Sequence, residues 1–345
     1  MIQEIRIKNY LSFRDEVVLS FEATKDTTFE ECQVVNVTPK VRLLRFALIY
    51  GANASGKSNL LNAMDFLRDF WFDKKSDIDE KTGVVPFLLD TETPNEPSEF
   101  NVKFFVGDKR YWYALVLDDK QVIKEDLYVY NSVQPSLVFS RELDGTASLI
   151  KLNASLVKAN ATIVEQLNVK CLSNMSFFAA RNQVNCSLAY IDEVRDWMKN
   201  NMMPIIQPGT RMFEYAGKQM EKNVELKAYI LDFVHKADYN ITDVYTEREK
   251  VPIPDIVKAS IMEDKDIPEK AKEKMLADNA LERLRTDFQH TVKNKRGEEN
   301  YRLPNSLQSE GTKRTFGIEA AIYEAIKTNG ILPIDEIESS LHPEL

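Results

Sequence analysis

Residues Gly51 to Ser58 read GANASGKS and fit G-x-x-x-x-G-K-[ST], a spacing that can wrap a polyphosphate. Gly51 and Gly56 let backbone N–H groups turn inward on an anion without a Cβ in the way. The Lys57 ammonium can reach the β- and γ-phosphates, and the Ser58 hydroxyl can ligate Mg²⁺. A second group of reactive residues stands near the other end of the chain. Ser309-Glu310-Gly311-Thr312-Lys313-Arg314 opens one segment, and Asp335-Glu336 follows the apolar run Ile331 to Ile334. A carboxylate pair at a strand end, beside a phosphate loop, supplies what hydrolysis of a triphosphate needs. Asp335 would hold Mg²⁺ through water, and Glu336 would orient or deprotonate the attacking water. Ser339-Ser340-Leu341-His342-Pro343 comes directly after the pair.

These residues need elements that hold them. The apolar run from Arg45 to Tyr50 is expected as the strand entering the phosphate loop, and Asn59 to Phe70 as the helix leaving it. That helix would aim its positive N-terminal end at the same anion. Ser309 opens a helix whose apolar face includes Phe316, Ala320, Tyr323 and Ile326, and a plain N-cap role for it stays open. The first block of the chain is β-rich, with strands in IQEIRIKNY, EVVLSFEA, EFNVKFFVG, RYWYALVLD and KEDLYVYN. Asp144-Gly145 signals a further hairpin. From about residue 160 the apolar period becomes helical, as in Val224 to Ala237. The charge-rich stretch Ala271 to Phe288 is expected as a solvated helix. Pro333 interrupts the run before Asp335, where a ladder wants an N–H, and would mark a bulge.

Composition narrows the class. The 345 residues are 43% hydrophobic and 29% charged, enough for a large core in two or three domains. No apolar run approaches the roughly 20 residues that span a bilayer, and no membrane partner is expected. The N-terminus lacks the apolar block of a signal peptide, so a cytoplasmic location is expected. Cys32, Cys171 and Cys186 form no C-x-x-C, which suits reduced thiols. A net charge of −9 disfavours attraction of the whole surface to DNA. The basic stretches Pro39 to Arg45 and Val292 to Arg302 leave a DNA partner open.

The order of these motifs resembles the ABC-type ATPase heads of the RecF, SMC and OLD-nuclease group. The strand IRIKNYLSF, G-x-N-x-S-G-K-S-N, S-x-G-x-x-R, D-E and a D-loop-like SLHP are similar to that pattern. The finer match is to the AAA-type ABC-like ATPases of bacterial abortive-infection systems, including ATPase subunits of the Septu and PARIS kind. It covers about the first 180 residues and about the last 45. The resemblance implies an α/β P-loop head, a mixed sheet with an antiparallel β layer, carrying a helical insertion. Residues 1–190 would be the lobe with the phosphate loop, 191–302 the helical insertion, and 303–345 the signature motif, Walker B and D-loop. It implies ATP and Mg²⁺ as ligands, with Gly51, Asn53, Ser55, Gly56, Lys57, Ser58, Asn59, Ser309 and Gly311 around the nucleotide. Ser58 and Asp335 would hold the metal, and Glu336 with Lys57 would be catalytic. ATP would be sandwiched in a homodimer or larger oligomer, with the signature of one protomer capping the nucleotide of the other. His342 would lie at that interface. The role implied is sensor or regulator of an effector protein such as a nuclease or toxin in anti-phage defence. The rival expectations are a RecF-like repair ATPase that clamps DNA, a non-catalytic ATP-binding scaffold, and an OLD-type ATPase with a nuclease domain beyond Leu345. The last strand and switch histidine of the head would also lie beyond Leu345.

Overall fold

The computed structural model describes residues 1–145, 147–237, 240–264, 267–277 and 280–339, which fall into two units. Unit 1 joins Met1–Ile206 to Thr328–Asp335, and unit 2 joins Gln207–Lys327 to the residues from Glu336 onward.

Unit 1 starts with the antiparallel pair β1 (Ile2–Lys8) and β2 (Val17–Ser20). A short helix, α1 (Glu30–Gln33), leads to a ribbon of β3 (Val34–Thr38) and β4 (Val41–Leu44), and α2 (Lys57–Phe70) follows the phosphate-loop motif. Next come β5 (Ser98–Val106), β6 (Lys109–Leu117), β7 (Val122–Tyr130), β8 (Ser136–Asp144) and β9 (Ala147–Leu152). With β1 and β2 they build a seven-stranded antiparallel sheet in the order β2-β1-β5-β6-β7-β8-β9. Helices α3 (Ala161–Lys170), α4 (Phe177–Arg181) and α5 (Ile191–Asn201) follow.

The sheet forms because its strands alternate. Phe100, Val102 and Phe104 of β5, and Tyr111, Tyr113, Leu115 and Leu117 of β6, are buried, with half-buried residues between them. Helix α2 presents Leu60, Ala63, Met64, Leu67 and Phe70 at three- and four-residue intervals, and these join the same core. Phe66 stacks on Phe100 with 5.2 Å between ring centroids, and Phe104 stacks on Trp197 of α5 at 4.4 Å. Each fully buried large side chain, such as Phe100 or Phe104, contributes about 1.5–3 kcal/mol, so the core that seats α2 is strongly favoured.

The run Phe46 to Tyr50 departs from its expected strand. Among the described residues it has no ladder partner, and Phe46, Leu48, Ile49 and Tyr50 are exposed. Apolar patterning reports affinity for a core, whereas strand formation also needs a neighbour whose N–H and C=O groups meet it.

Unit 2 contains α6 (Phe213–Lys222), α7 (Val224–Lys236), β10 (Asp243–Pro252), α8 (Asp255–Glu263) and α9 (Glu269–Ala277). It continues with β11 (Ala280–Asn294), β12 (Gly297–Pro304) and α10 (Glu310–Thr328). The three strands pair antiparallel in the order β10-β11-β12. Phe213, Phe288 and Phe316 meet in its core, with ring centroids 5.5 Å apart for Phe213–Phe288 and 4.9 Å for Phe288–Phe316. The single solvated helix expected over Ala271 to Phe288 is not formed. Helix α9 stops at Ala277 and a strand begins at Ala280. Thr286 and Phe288 are buried while Arg285 is exposed, a period of two that the β10 and β12 ladders stabilise. Unit 2 therefore holds a three-stranded sheet beside its helices, where the sequence led to helices alone. No helix among the described residues is long and apolar enough to cross a membrane.

Candidate nucleotide-binding site

The phosphate-loop motif ends where α2 begins. Gly56 caps that helix in a left-handed conformation (φ 92°), and Ala54 is also left-handed (φ 62°). A Cβ at Gly51 would lie 2.7 Å from Ser55 Oγ, and one at Gly56 would lie 2.8 Å from both Ser12 Oγ and the Phe13 ring. Glycine is therefore required at Gly56 for space and backbone angle, whereas a Cβ at Gly51 would need only the Ser55 hydroxyl to rotate. Lys57 Nζ donates to the carbonyl oxygens of Gly51 (2.8 Å) and Ala52 (2.9 Å), so the loop curls around its ammonium. Asn53, Ser55 and Ser58 are exposed along the same turn. The first N–H groups of α2 have no intrahelical acceptor, and its dipole is positive at this end. Loop, lysine and hydroxyl together make a donor set that suits a phosphate chain with its cation. Asn59 Nδ2 donates to Ser12 Oγ at 2.9 Å, a partnership that motif spacing does not reveal.

The carboxylate segment is held by residues 201–206. Ile331 pairs in parallel with Met202, and Ile334 with Ile206. Ile331 N donates to Asn201 O (2.6 Å) and accepts at its carbonyl from Met203 N (3.0 Å). The next rung uses Ile206 N to Pro333 O (3.0 Å) and Asp335 N to Ile206 O (2.9 Å). One extra residue thus lies between the rungs on the 202–206 side, opposite Pro333 rather than at it, and Ile331 to Ile334 forms two isolated bridges instead of the continuous strand expected before Asp335. Pro333 has no N–H to give Met203, and the displaced stretch places Ile205 N 3.3 Å from Asp65 Oδ1 of α2. The 202–206 segment, which pairs with the run leading into Asp335, is thereby also joined to the helix that carries Lys57 and Ser58.

Glu336 follows with a left-handed backbone (φ 45°). Its carbonyl accepts from Ser339 N (2.9 Å) and from Arg314 Nη2 (3.1 Å). Arg314 Nη1 also donates to Pro208 O at 3.0 Å. Burial pushes the Arg314 guanidinium down from its ordinary range, and the Glu336 and Glu338 carboxylates pull it back up. Ser309 Oγ accepts from Thr312 N at 3.0 Å and lies 2.8 Å from Thr312 Oγ1, so it caps α10. Gly311 sits in the first turn of that helix. The structure thus groups the phosphate loop and Asp335 in unit 1, and Ser309, Gly311, Arg314 and Glu336 in unit 2. Ser340 to Pro343, including His342, lie outside the described residues. Ser12, Phe13 and Arg314 were given no individual role by sequence reading, although each stands inside a quoted motif, NYLSF or S-x-G-x-x-R.

A family profile described as "AAA domain, putative AbiEii toxin, Type IV TA system" matches residues 46–151 and 214–345, well over half of the chain. The chain belongs to this AAA family. Both matched stretches carry motif residues: the first holds the phosphate loop, and the second holds Ser309, Asp335 and Glu336. Membership in the AAA family makes this a P-loop ATPase domain, and the seven-stranded α/β architecture agrees with that. Among curated proteins none matches the chain.

Proposed function

We propose that this AAA-family chain binds and hydrolyses ATP with Mg²⁺, and that nucleotide occupancy controls its association with a second copy. The observation carrying this reading is the phosphate loop itself, curled around Lys57 at the N-terminus of α2, with Gly56 in a left-handed conformation that leaves no room for a Cβ. Lys57 and the loop amides would hold the triphosphate and stabilise the charge that develops during transfer. Ser58 and Asp335 would hold Mg²⁺, which when bound supplies charge neutralisation along the phosphate chain. Glu336 would orient water for in-line attack on the γ-phosphorus and take its proton. The bond to the β–γ bridging oxygen then breaks, leaving ADP and phosphate. Ser309 and Gly311 open α10, and the helix start of one copy would face the γ-phosphate held by the other.

The biological role proposed is a sensor or regulator of an effector nuclease or toxin in anti-phage defence. The family description, which names an abortive-infection toxin and a toxin–antitoxin system, supports that context. A DNA clamp is less supported. Arg302 of the basic stretch stacks on Tyr245 at 3.6 Å with Glu247 3.7 Å away, and Arg42 pairs with Glu30 at 2.7 Å. Each of these two arginines has a partner within the chain. The deciding experiment is ATP turnover by Glu336→Gln: phosphate release should fall by at least a hundredfold while ATP binding persists. Wild-type turnover in that variant would sink the assignment.

A further inference from the structure

The tip of the β1–β2 hairpin lies against the phosphate loop, although none of its residues belongs to the loop motif. Asn9 opens the turn with a left-handed backbone (φ 51°). Its buried Nδ2 donates to the carbonyls of Thr93 (2.8 Å), Glu96 (2.9 Å) and Pro97 (3.3 Å), and its Oδ1 accepts from Phe87 N (3.0 Å). Tyr10 N donates to Phe13 O (2.9 Å) and Phe13 N to Tyr10 O (2.8 Å), which leaves Leu11 and Ser12 as the tip. Tyr10 is buried against Phe100, ring centroids 5.2 Å apart, and its hydroxyl donates to the Asn62 carbonyl of α2 at 3.3 Å. The tip is thus anchored on the sheet and on the helix together. From there Ser12 Oγ accepts from Asn59 Nδ2 at 2.9 Å, and Asn59 Oδ1 accepts from Asn62 Nδ2 at 3.3 Å. Ser12 and Phe13 also close the space beside Gly56.

We propose that Ser12 is a positioning residue for the nucleotide, acting through Asn59 and Gly56; the proposal rests on the ATP-binding reading above. A glycine reaches the left-handed conformation freely, but it also leaves it freely, and ordering such a loop opposes ligand binding. A hydrogen bond to the first turn of α2, with side-chain contact at Gly56, removes that freedom before ATP arrives. Loss of the bond should weaken binding while leaving the chemical step intact, a KM effect without a kcat effect.

The test compares wild type with Ser12→Ala, Ser12→Thr, Asn59→Ala and the Ser12→Ala/Asn59→Ala double variant. ATP affinity is read by titration calorimetry with Mg²⁺ present, alongside steady-state kinetics and thermal unfolding. Ser12 is exposed, so its truncation leaves the core untouched. Ser12→Ala should weaken ATP roughly two- to tenfold, the range for one hydrogen bond, and raise KM alike with kcat held within about twofold. Ser12→Thr should restore affinity, and the double variant should bind no more weakly than the weaker single. Unchanged affinity in Ser12→Ala, additive singles, a drop in kcat alone, or no rescue by threonine would each overturn the proposal. The parent reading fails by a different sign: Lys57→Ala would then bind ATP as tightly as wild type.

Discussion

At the scale of single residues, the phosphate loop depends on what Gly56 lacks. Its φ of 92° is accessible to an L-residue only with strain of about 1–2 kcal/mol, and the Phe13 ring and Ser12 hydroxyl leave no room for a methyl group. Gly56→Ala should therefore reduce ATP affinity by tenfold or more, with only a modest fall in melting temperature, because the loop lies outside the buried core. Calorimetric titration of the variant with ATP checks this, and wild-type affinity would show that the loop geometry is not used. Lys57 makes a related point. Among the described residues it is held by two loop carbonyls and by no acidic partner, so its charge is placed by the curled backbone of the loop.

Among elements, the seven-stranded sheet is pinned by a buried ion pair that hydrophobic periodicity does not announce. Arg141 of β8 donates to Glu125 of β7 at 3.1 Å, with both side chains fully buried. Glu125 also accepts from Tyr113 Oη (2.9 Å) and Phe177 N (2.8 Å), while Arg141 Nη2 donates to Leu172 O (2.8 Å). Arg141→Met would strand the carboxylate and should cost about 3–5 kcal/mol in urea unfolding. Adding Glu125→Leu should recover part of that loss, which a purely steric defect would not allow. On β1, the Arg6 hydrogen bond and the Lys103 charge hold Glu4 well below its ordinary 4.5, to about 2, against the opposing effect of burial. A carboxyl depressed in the folded state stabilises fully above its unfolded value and loses that contribution as pH falls from about 4.5 towards 2. Glu4→Gln should be less stable than wild type at neutral pH, and urea midpoints should show the gap closing below about pH 4.

Across the whole molecule, two cores divide the work. Unit 1 carries the phosphate loop and Asp335, and unit 2 carries the helix start at Ser309 together with Glu336. If ATP joins two copies, the Glu336→Gln variant should accumulate as a dimer with ATP and Mg²⁺ and return to monomer with ADP. Light scattering at matched concentrations reads this directly. A variant that stays monomeric while saturated with ATP would remove the dimer from the proposal and leave the binding site intact.

The positions proposed to carry chemistry were read from the sequence by itself. GANASGKS, Ser309 to Arg314 and Asp335-Glu336 are legible because phosphate binding and water activation demand particular residue types at short spacings. The antiparallel strands from Glu99 to Tyr130 were legible for a similar local reason, since alternation at period two is written into each segment. Tertiary structure alone decided the rest. It made a strand of Ala280–Asn294, where β10 and β12 supplied partners, and left Phe46 to Tyr50 unpaired among the described residues. It also paired the run before Asp335 by two isolated bridges with the 202–206 segment, whose Ile205 N reaches Asp65 of α2. Hydrogen-bond partners remote in sequence cannot be read from local pattern, because a ladder or a buttress exists only once both sides have been brought together.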